Sequence, residues 1–189
     1  MRHIAIFASG AGSNARKIME RFQNHPDVRV DLVVSNKKDA GVLAIAAEFG
    51  VETLLINRNY FYDTQLLLTE LKTRSVNFIV LAGFLWLVPA YLVKAFPRRI
   101  VNIHPALLPK FGGKGMYGRH VHEAVKAAGE TETGITIHYV NEHYDEGDIV
   151  FQASCSLTTE DTPDSIAQKV HALEHRYFPE VVEGLVKGG

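Results

Sequence analysis

Short, densely apolar runs alternate with longer stretches of helical spacing along the first hundred residues. "HIAIFA" (3–8), "VRVDLVVS" (28–35), "TLLI" (53–56), "FIVLAG" (78–83) and residues 100–103 read as five strands. Between them, "ARKIMERF" (15–22), "GVLAIAAEFG" (41–50), "FYDTQLLLTELKTR" (61–74) and residues 89–96 carry the spacing of helices. Strands apolar on both faces, alternating with helices, predict an α/β fold with a mostly parallel, twisted sheet covered on each side. After Gly129 the texture changes. "GITIHYV" (134–140) and "DIVFQASCS" (148–156) are strands joined by a polar loop with no helix between them, which predicts an antiparallel addition. A long helix closes the chain, with Asp161 or Thr162 as its cap and Pro163 at its first position.

Composition narrows the picture. The 189 residues fit one domain, 1–189, without an internal repeat, a low-complexity tract or a linker. A chain of this size buries about 70% of its unfolded surface and needs no staple. Cys155 is the sole cysteine, so no intrachain disulfide forms and a cytoplasmic compartment is expected. "MRHIAIFASG" lacks a signal-peptide core, and no apolar run approaches the roughly 18 residues of a membrane span. With a net charge of −1, the chain offers no electrostatic footprint for nucleic acid.

The first candidate chemistry is the loop "ASGAGSN", which ends strand one and opens helix one. A helix N-terminus there presents free N–H groups to an anion. Gly10 and Gly12 let the backbone approach, and Ser13 and Asn14 add side-chain donors. The dinucleotide fingerprint requires an acid after strand two, where this chain has Ser35 and Asn36, and a Walker A loop requires a lysine that is absent. A mononucleotide or sugar phosphate fits better, against the plainer reading of a reversing turn.

The second is "VNIHPALLP" (101–109). Asn102 and His104, at i and i+2, point to one side of a strand. They stand at its carboxyl end, where open α/β sheets bind ligands. Pro105 and Pro109 stiffen the segment between them, and "FGGKGMYGRH" reads as a glycine-rich loop able to act as a lid. Farther on, His138 lies on a strand and Asp145 in the loop after it. A carboxylate beside His104 favours imidazolium. Together with the Asn102 amide this makes a two-donor site for an oxyanion. No serine or cysteine stands out as a nucleophile, so the chemistry suggested is direct acyl transfer between two bound substrates. Each residue also has an ordinary structural reading: a strand-end cap, a satisfied core histidine, a solvated loop aspartate.

The helical "HALEH" (171–175) matches the inverted zinc signature H-x-x-E-H, but the chain supplies no obvious third ligand. The alternative places His171 and Glu174 on one helix face. There the imidazole reaches phosphate and the carboxylate reaches hydroxyls. No metal is expected.

Taken together, "ASGAGSN", "VVSNK", "VLAGFLWLV", "NIHPALLPKF", "GITIHYVNEHYDEGDIVFQ" and "ALEHRYFP" resemble the glycinamide ribonucleotide transformylases of the folate-dependent formyltransferase family, over nearly the whole chain. The resemblance implies a Rossmann-like formyltransferase fold whose N-terminal half binds ribonucleotide and whose C-terminal half binds folate and carries catalysis. It implies formyl transfer from 10-formyltetrahydrofolate, a co-substrate, to the amine of glycinamide ribonucleotide in purine synthesis, by a monomer or homodimer. Asn102, His104 and Asp145 become the catalytic trio, with His138 in support. Gly10, Gly12, Ser13, Asn14, Pro105, His171 and Glu174 face the ribonucleotide. Leu85, Trp86, Leu87, Val88, Asn141, Glu142 and Tyr144 line the folate pocket with Asn102 and Asp145. Two departures stand out: Trp86 occupies a position that is often basic in relatives, and "KFGGKGMYGRHVHEAV" is longer than the matching loop. The sibling deformylase carries an additional N-terminal domain, and the sibling acting on methionyl-tRNA an additional C-terminal one; this chain is expected to have neither. The alternatives are that hydrolase and a non-catalytic sugar-phosphate-binding module.

Overall fold

A computed structural model describes residues 1–188. The described residues form seven strands: β1 (Arg2–Phe7), β2 (Val28–Ser35), β3 (Glu52–Leu55), β4 (Phe78–Leu81), β5 (Ile100–His104), β6 (Glu132–Tyr139) and β7 (Ile149–Ser156). Their helices are α1 (Ser13–Phe22), α2 (Gly41–Glu48), α3 (Leu66–Thr73), α4 (Ala90–Ala95), α5 (Arg119–Ala127) and α6 (Pro163–Gly188). The strands make one sheet in the order β3-β2-β1-β4-β5-β6-β7. β1 to β5 pair in parallel, while β5–β6 and β6–β7 are antiparallel. This is the mostly parallel sheet with an antiparallel C-terminal addition that the sequence predicts.

Two-sided strands separate two cores by simple alternation. Ile4 and Ile6 of β1 face α1, α2, α5 and α6, joining Ile18, Val42, Val125 and Val170. Ala5 and Phe7 face the opposite layer, with Leu67, Leu71 and Leu92 of α3 and α4. In β5, Val101 and Ile103 belong to the first core and Ile100 to the second. Asn102 and His104 therefore share the side of Ile100.

Two elements differ from the sequence reading. The helix expected over 61–74 is interrupted. A π-helical turn spans Asn59–Asp63, and Thr64 then turns extended before α3 begins. The Thr64 hydroxyl donates to the Tyr60 carbonyl at 3.0 Å and accepts from the Leu66 N–H at 3.3 Å, replacing helical backbone bonds. The segment after the glycine-rich loop, expected to continue as loop, forms α5. Val121 and Val125, at i and i+4, are fully buried there. At the last helix, Thr162 is the cap: its Oγ1 accepts from the Ser165 N–H while the Ser165 hydroxyl accepts from the Thr162 N–H.

Candidate active site

The carboxyl ends of β1, β4 and β5 open into a cavity of 820 Å³. Its walls are the glycine loop before α1, the segment after β4, the end of β5, the loop from Gly113 to Arg119, and one face of α6.

Gly12 sets the first wall. It caps α1 with φ +83°, and a Cβ there would stand 2.8 Å from the Val42 backbone. No other residue keeps this turn without strain. Ser9 sets the second. Its hydroxyl donates to Asn36 Oδ1 at 2.7 Å and accepts from the Leu85 N–H at 3.0 Å. That clip holds Leu85, Trp86, Leu87 and Val88 along the cavity. Behind them Phe61, Phe84 and Trp86 pack ring against ring. The Tyr62 hydroxyl donates to the Leu87 carbonyl. The outcome is an apolar slot, suited to a flat heteroaromatic group.

Strand register builds the polar centre. β5 and β6 run antiparallel with Asn102 opposite His138. The His138 Nδ1–H donates to the Tyr139 carbonyl at 2.9 Å, which leaves Nε2 facing Asn102 Nδ2 at 3.2 Å. Asn102 Nδ2 also donates to Asp145 Oδ1, at a long 3.4 Å. Asp145 holds φ +56°, in the left-handed region, and its Oδ2 accepts from the Gly113 N–H at 3.0 Å. Such backbone clusters at functional sites. His104 Nδ1 lies 3.5 Å from Asp145 Oδ2, while its Nε2–H donates to the Phe111 carbonyl at 2.7 Å. Because a carbonyl only accepts, Nε2 carries the proton and Nδ1 is the nitrogen that protonates against Asp145.

Burial decides the charge of this centre. His104 is 3% exposed, and desolvation lowers its pKa despite the Asp145 carboxylate. The carboxylate does favour imidazolium, as the sequence leads one to expect, but desolvation outweighs the attraction. For Asp145 burial pushes upward, but the attraction it gains from the adjoining His138 and His104 rings when they carry a proton, with the Gly113 N–H, holds it below the usual range.

A second polar group sits at the other end. Glu174, buried on α6, receives Asn14 Nδ2 at 3.0 Å and His171 Nδ1 at 2.7 Å on the same oxygen. The hydrogen bond to Glu174 raises the pKa of His171. His175 stacks on His171, the ring centroids 6.1 Å apart. Among the described residues no cluster of three or more His, Cys, Asp or Glu side chains could hold a metal ion.

Gly10, Gly12, Ser13, Asn14, Pro105, His171 and Glu174 thus share one cavity with Asn102, His104, His138, Asp145, Tyr144 and the segment from Leu85 to Val88. Asn141 and Glu142 lie outside its lining. The Asn141 carboxamide instead accepts from the His143 N–H and shapes the turn that carries Asp145. Several lining residues were not singled out from the sequence, Ser9 and His122 among them. Ser9 gives no sequence signal of its role. His143 is carried in by that turn. His122 rides on α5, whose Val121 and Val125 spacing between Gly118 and Gly129 was the available cue.

The model of the family described as "Formyl transferase" matches residues 2–182. This chain belongs to the formyl transferase family. The resemblance read from its sequence motifs therefore holds. Among relatives of this formyl transferase is the protein named phosphoribosylglycinamide formyltransferase, chloroplastic, of Arabidopsis thaliana. It is 43% identical over 96% of the chain, which spans 64% of that relative's length, under two thirds. The phosphoribosylglycinamide formyltransferase of Bacillus subtilis is 34% identical, with 98% of this chain and 95% of that one covered. In three dimensions the crystal structure of phosphoribosylglycinamide formyltransferase from Anaplasma phagocytophilum superposes with a TM-score of 0.89, at 32% identity, covering 98% of this chain and 87% of that one. Among the described residues of this formyl transferase, no helix is long and apolar enough to cross a membrane.

Proposed function

We propose that the chain transfers the formyl group of 10-formyltetrahydrofolate to the amine of glycinamide ribonucleotide. The observation that carries this reading is the convergence of Asn102, His104 and Asp145 in one cavity, between a phosphate-type helix N-terminus and an apolar slot. The names of relatives covered nearly end to end agree with it.

In this reading Gly10, Gly12, Ser13 and Asn14 receive the phosphate, Glu174 and His171 the ribose end, and the slot from Leu85 to Val88 the pterin. Pro105 stiffens the passage beside the reacting centre. The ribonucleotide amine attacks the formyl carbon and a C–N bond forms. The formyl oxygen takes the negative charge, and the bond to N10 breaks as that nitrogen gains a proton. Asn102 and His104 stabilise the oxyanion. The long Asn102–Asp145 contact leaves that N–H free to re-aim, as hydrogen bonds at sites without substrate often tighten only on binding. An oxyanion beside His104 supplies the charge that burial alone withholds, so the imidazolium forms with the transition state and stabilises it selectively. Asp145 holds the imidazolium and relays a proton toward N10.

The chain needs no metal in this scheme and acts as a monomer or homodimer. Its single cysteine, Cys155, unpaired, suits a reducing, cytoplasmic compartment. A hydrolase reading uses the same trio with water as the nucleophile. The buried Asn14–Glu174–His171 group favours the transferase, because a hydrolase has no use for a second polar end. The test mixes pure protein with 10-formyltetrahydrofolate and follows folate absorbance with and without glycinamide ribonucleotide. Turnover dependent on the ribonucleotide is expected; equal turnover without it overturns the reading.

A further inference from the structure

His122 is a buried titratable group in the cavity wall that the mechanism above does not use. It lies on α5 beside Val121 and Val125 and is 3% exposed. Its Nδ1 is sealed from solvent and has no hydrogen-bond partner. Native folds pair nearly all such atoms, because an unpaired buried one is destabilising. A bare N–H is rarer than a bare lone pair, so Nδ1 is the lone pair and Nε2 carries the hydrogen. Burial keeps the ring neutral, and His171 adds to that effect. His122 lines the same cavity as His171 and Glu174 of the ribose end and His104 of the reacting centre.

We propose that His122 is a substrate-positioning residue whose Nε2–H donates to an oxygen of the ribonucleotide's glycinamide portion, and that the fold tolerates an unpaired buried nitrogen to present it. This rests on the transferase reading. A neutral donor suits a carbonyl oxygen on the span between ribose and amine. A cation there would repel the substrate's ammonium group. The bond fixes the amine's approach to the formyl carbon, and the orphaned Nδ1 has no role in packing that an apolar ring would not fill better.

Stability and binding should then move in opposite directions. In His122→Phe the orphaned atom and the donor both disappear. Thermal unfolding should move up by about 2–4 °C. The Kd for glycinamide ribonucleotide should rise about tenfold, whereas that for ribose 5-phosphate, which lacks the amide, should not change. The KM for the formyl folate should stay constant. His122→Gln, which retains an N–H donor, should recover most of the ribonucleotide affinity. Unchanged ribonucleotide affinity in His122→Phe overturns the proposal, as does equal weakening toward ribose 5-phosphate. If His122→Phe is less stable than wild type, His122 is a structural residue, and failure of His122→Gln to recover affinity settles that outcome against us. Wild-type protein run alongside separates this from failure of the transferase reading, which shows as folate turnover indifferent to the ribonucleotide.

Discussion

The Asp145 carboxylate stands 3.5 Å from the His104 imidazole, one on left-handed backbone and the other almost wholly buried, and burial wins over the attraction between them. The pair is thus poised with a neutral ring and an ionised carboxylate, and needs a developing negative charge to become an ion pair. Asp145→Asn removes the largest of the upward influences on His104, ahead of the Phe111 hydrogen bond and Glu174. The His104 pKa should then fall further, which an NMR titration of its ring protons reads directly. A rise would contradict the assignment.

Asn102→Ala deletes the proposed oxyanion donor, and His104→Ala deletes the imidazolium proposed to form beside it. Turnover should drop by about 10²–10³ in each case. The KM for the ribonucleotide should change little, since the contacts proposed for its phosphate and ribose lie elsewhere. Steady-state kinetics with folding checked by circular dichroism decides this. A rate within about twofold of wild type would remove either residue from the mechanism.

Gly12→Ala tests the glycine loop. The added methyl meets Val42 at 2.8 Å on backbone of φ +83°. The strain of a left-handed alanine alone is about 1–2 kcal/mol. Lower stability in urea and weaker ribonucleotide binding should appear together, with folate binding largely retained.

Trp86→Ala tests the apolar slot. Trp86 packs on Phe61 and Phe84, and the Arg58 guanidinium lies 5.1 Å over its ring. The KM for the formyl folate should rise roughly tenfold or more from lost apolar and aromatic contact, with the ribonucleotide KM unchanged.

Acid should weaken the fold from near neutrality. Burial lowers the pKa of His104, His122 and His175, so the unfolded chain binds more protons than the native one. Their contribution is complete above about pH 6.5, the unfolded histidine value, and is lost as pH falls through their lower native values. His171 works in the opposite sense. Its raised pKa stabilises below about pH 6.5, and that contribution is lost as pH rises through its native value. Three groups against one predict a net loss on acidification, seen as a falling urea midpoint between pH 7 and pH 5. Replacing His171 by Gln should steepen that fall.

Local pattern carried most of the architecture. Two-sided strands such as β1 and β4 read as a covered parallel sheet because Ile4 to Phe7 and Phe78 to Leu81 each face one core or the other. The helix break at Thr64 was hidden because a hydroxyl competing for backbone bonds leaves no mark on apolar spacing. Asn102, His104 and Asp145 were legible as types at suggestive places. Their contact rests on the antiparallel register that sets Asn102 against His138, and on a turn that aims Asp145 back at β5; both are long-range facts. The same limit applies to the charge of His104, since desolvation depends on everything packed around the ring. Glu174 and Asn14 lie 160 positions apart, and only the return of α6 across α1 joins them.

The most direct measurement follows the formyl carbon itself. 10-Formyltetrahydrofolate labelled with ¹³C at the formyl group is incubated with the protein and glycinamide ribonucleotide, and the carbon is traced by NMR. Appearance of the label as a formamide on the ribonucleotide, abolished or slowed by about 10²–10³ in His104→Ala, is the predicted result. Label appearing as free formate, at a rate indifferent to the ribonucleotide, would contradict the account.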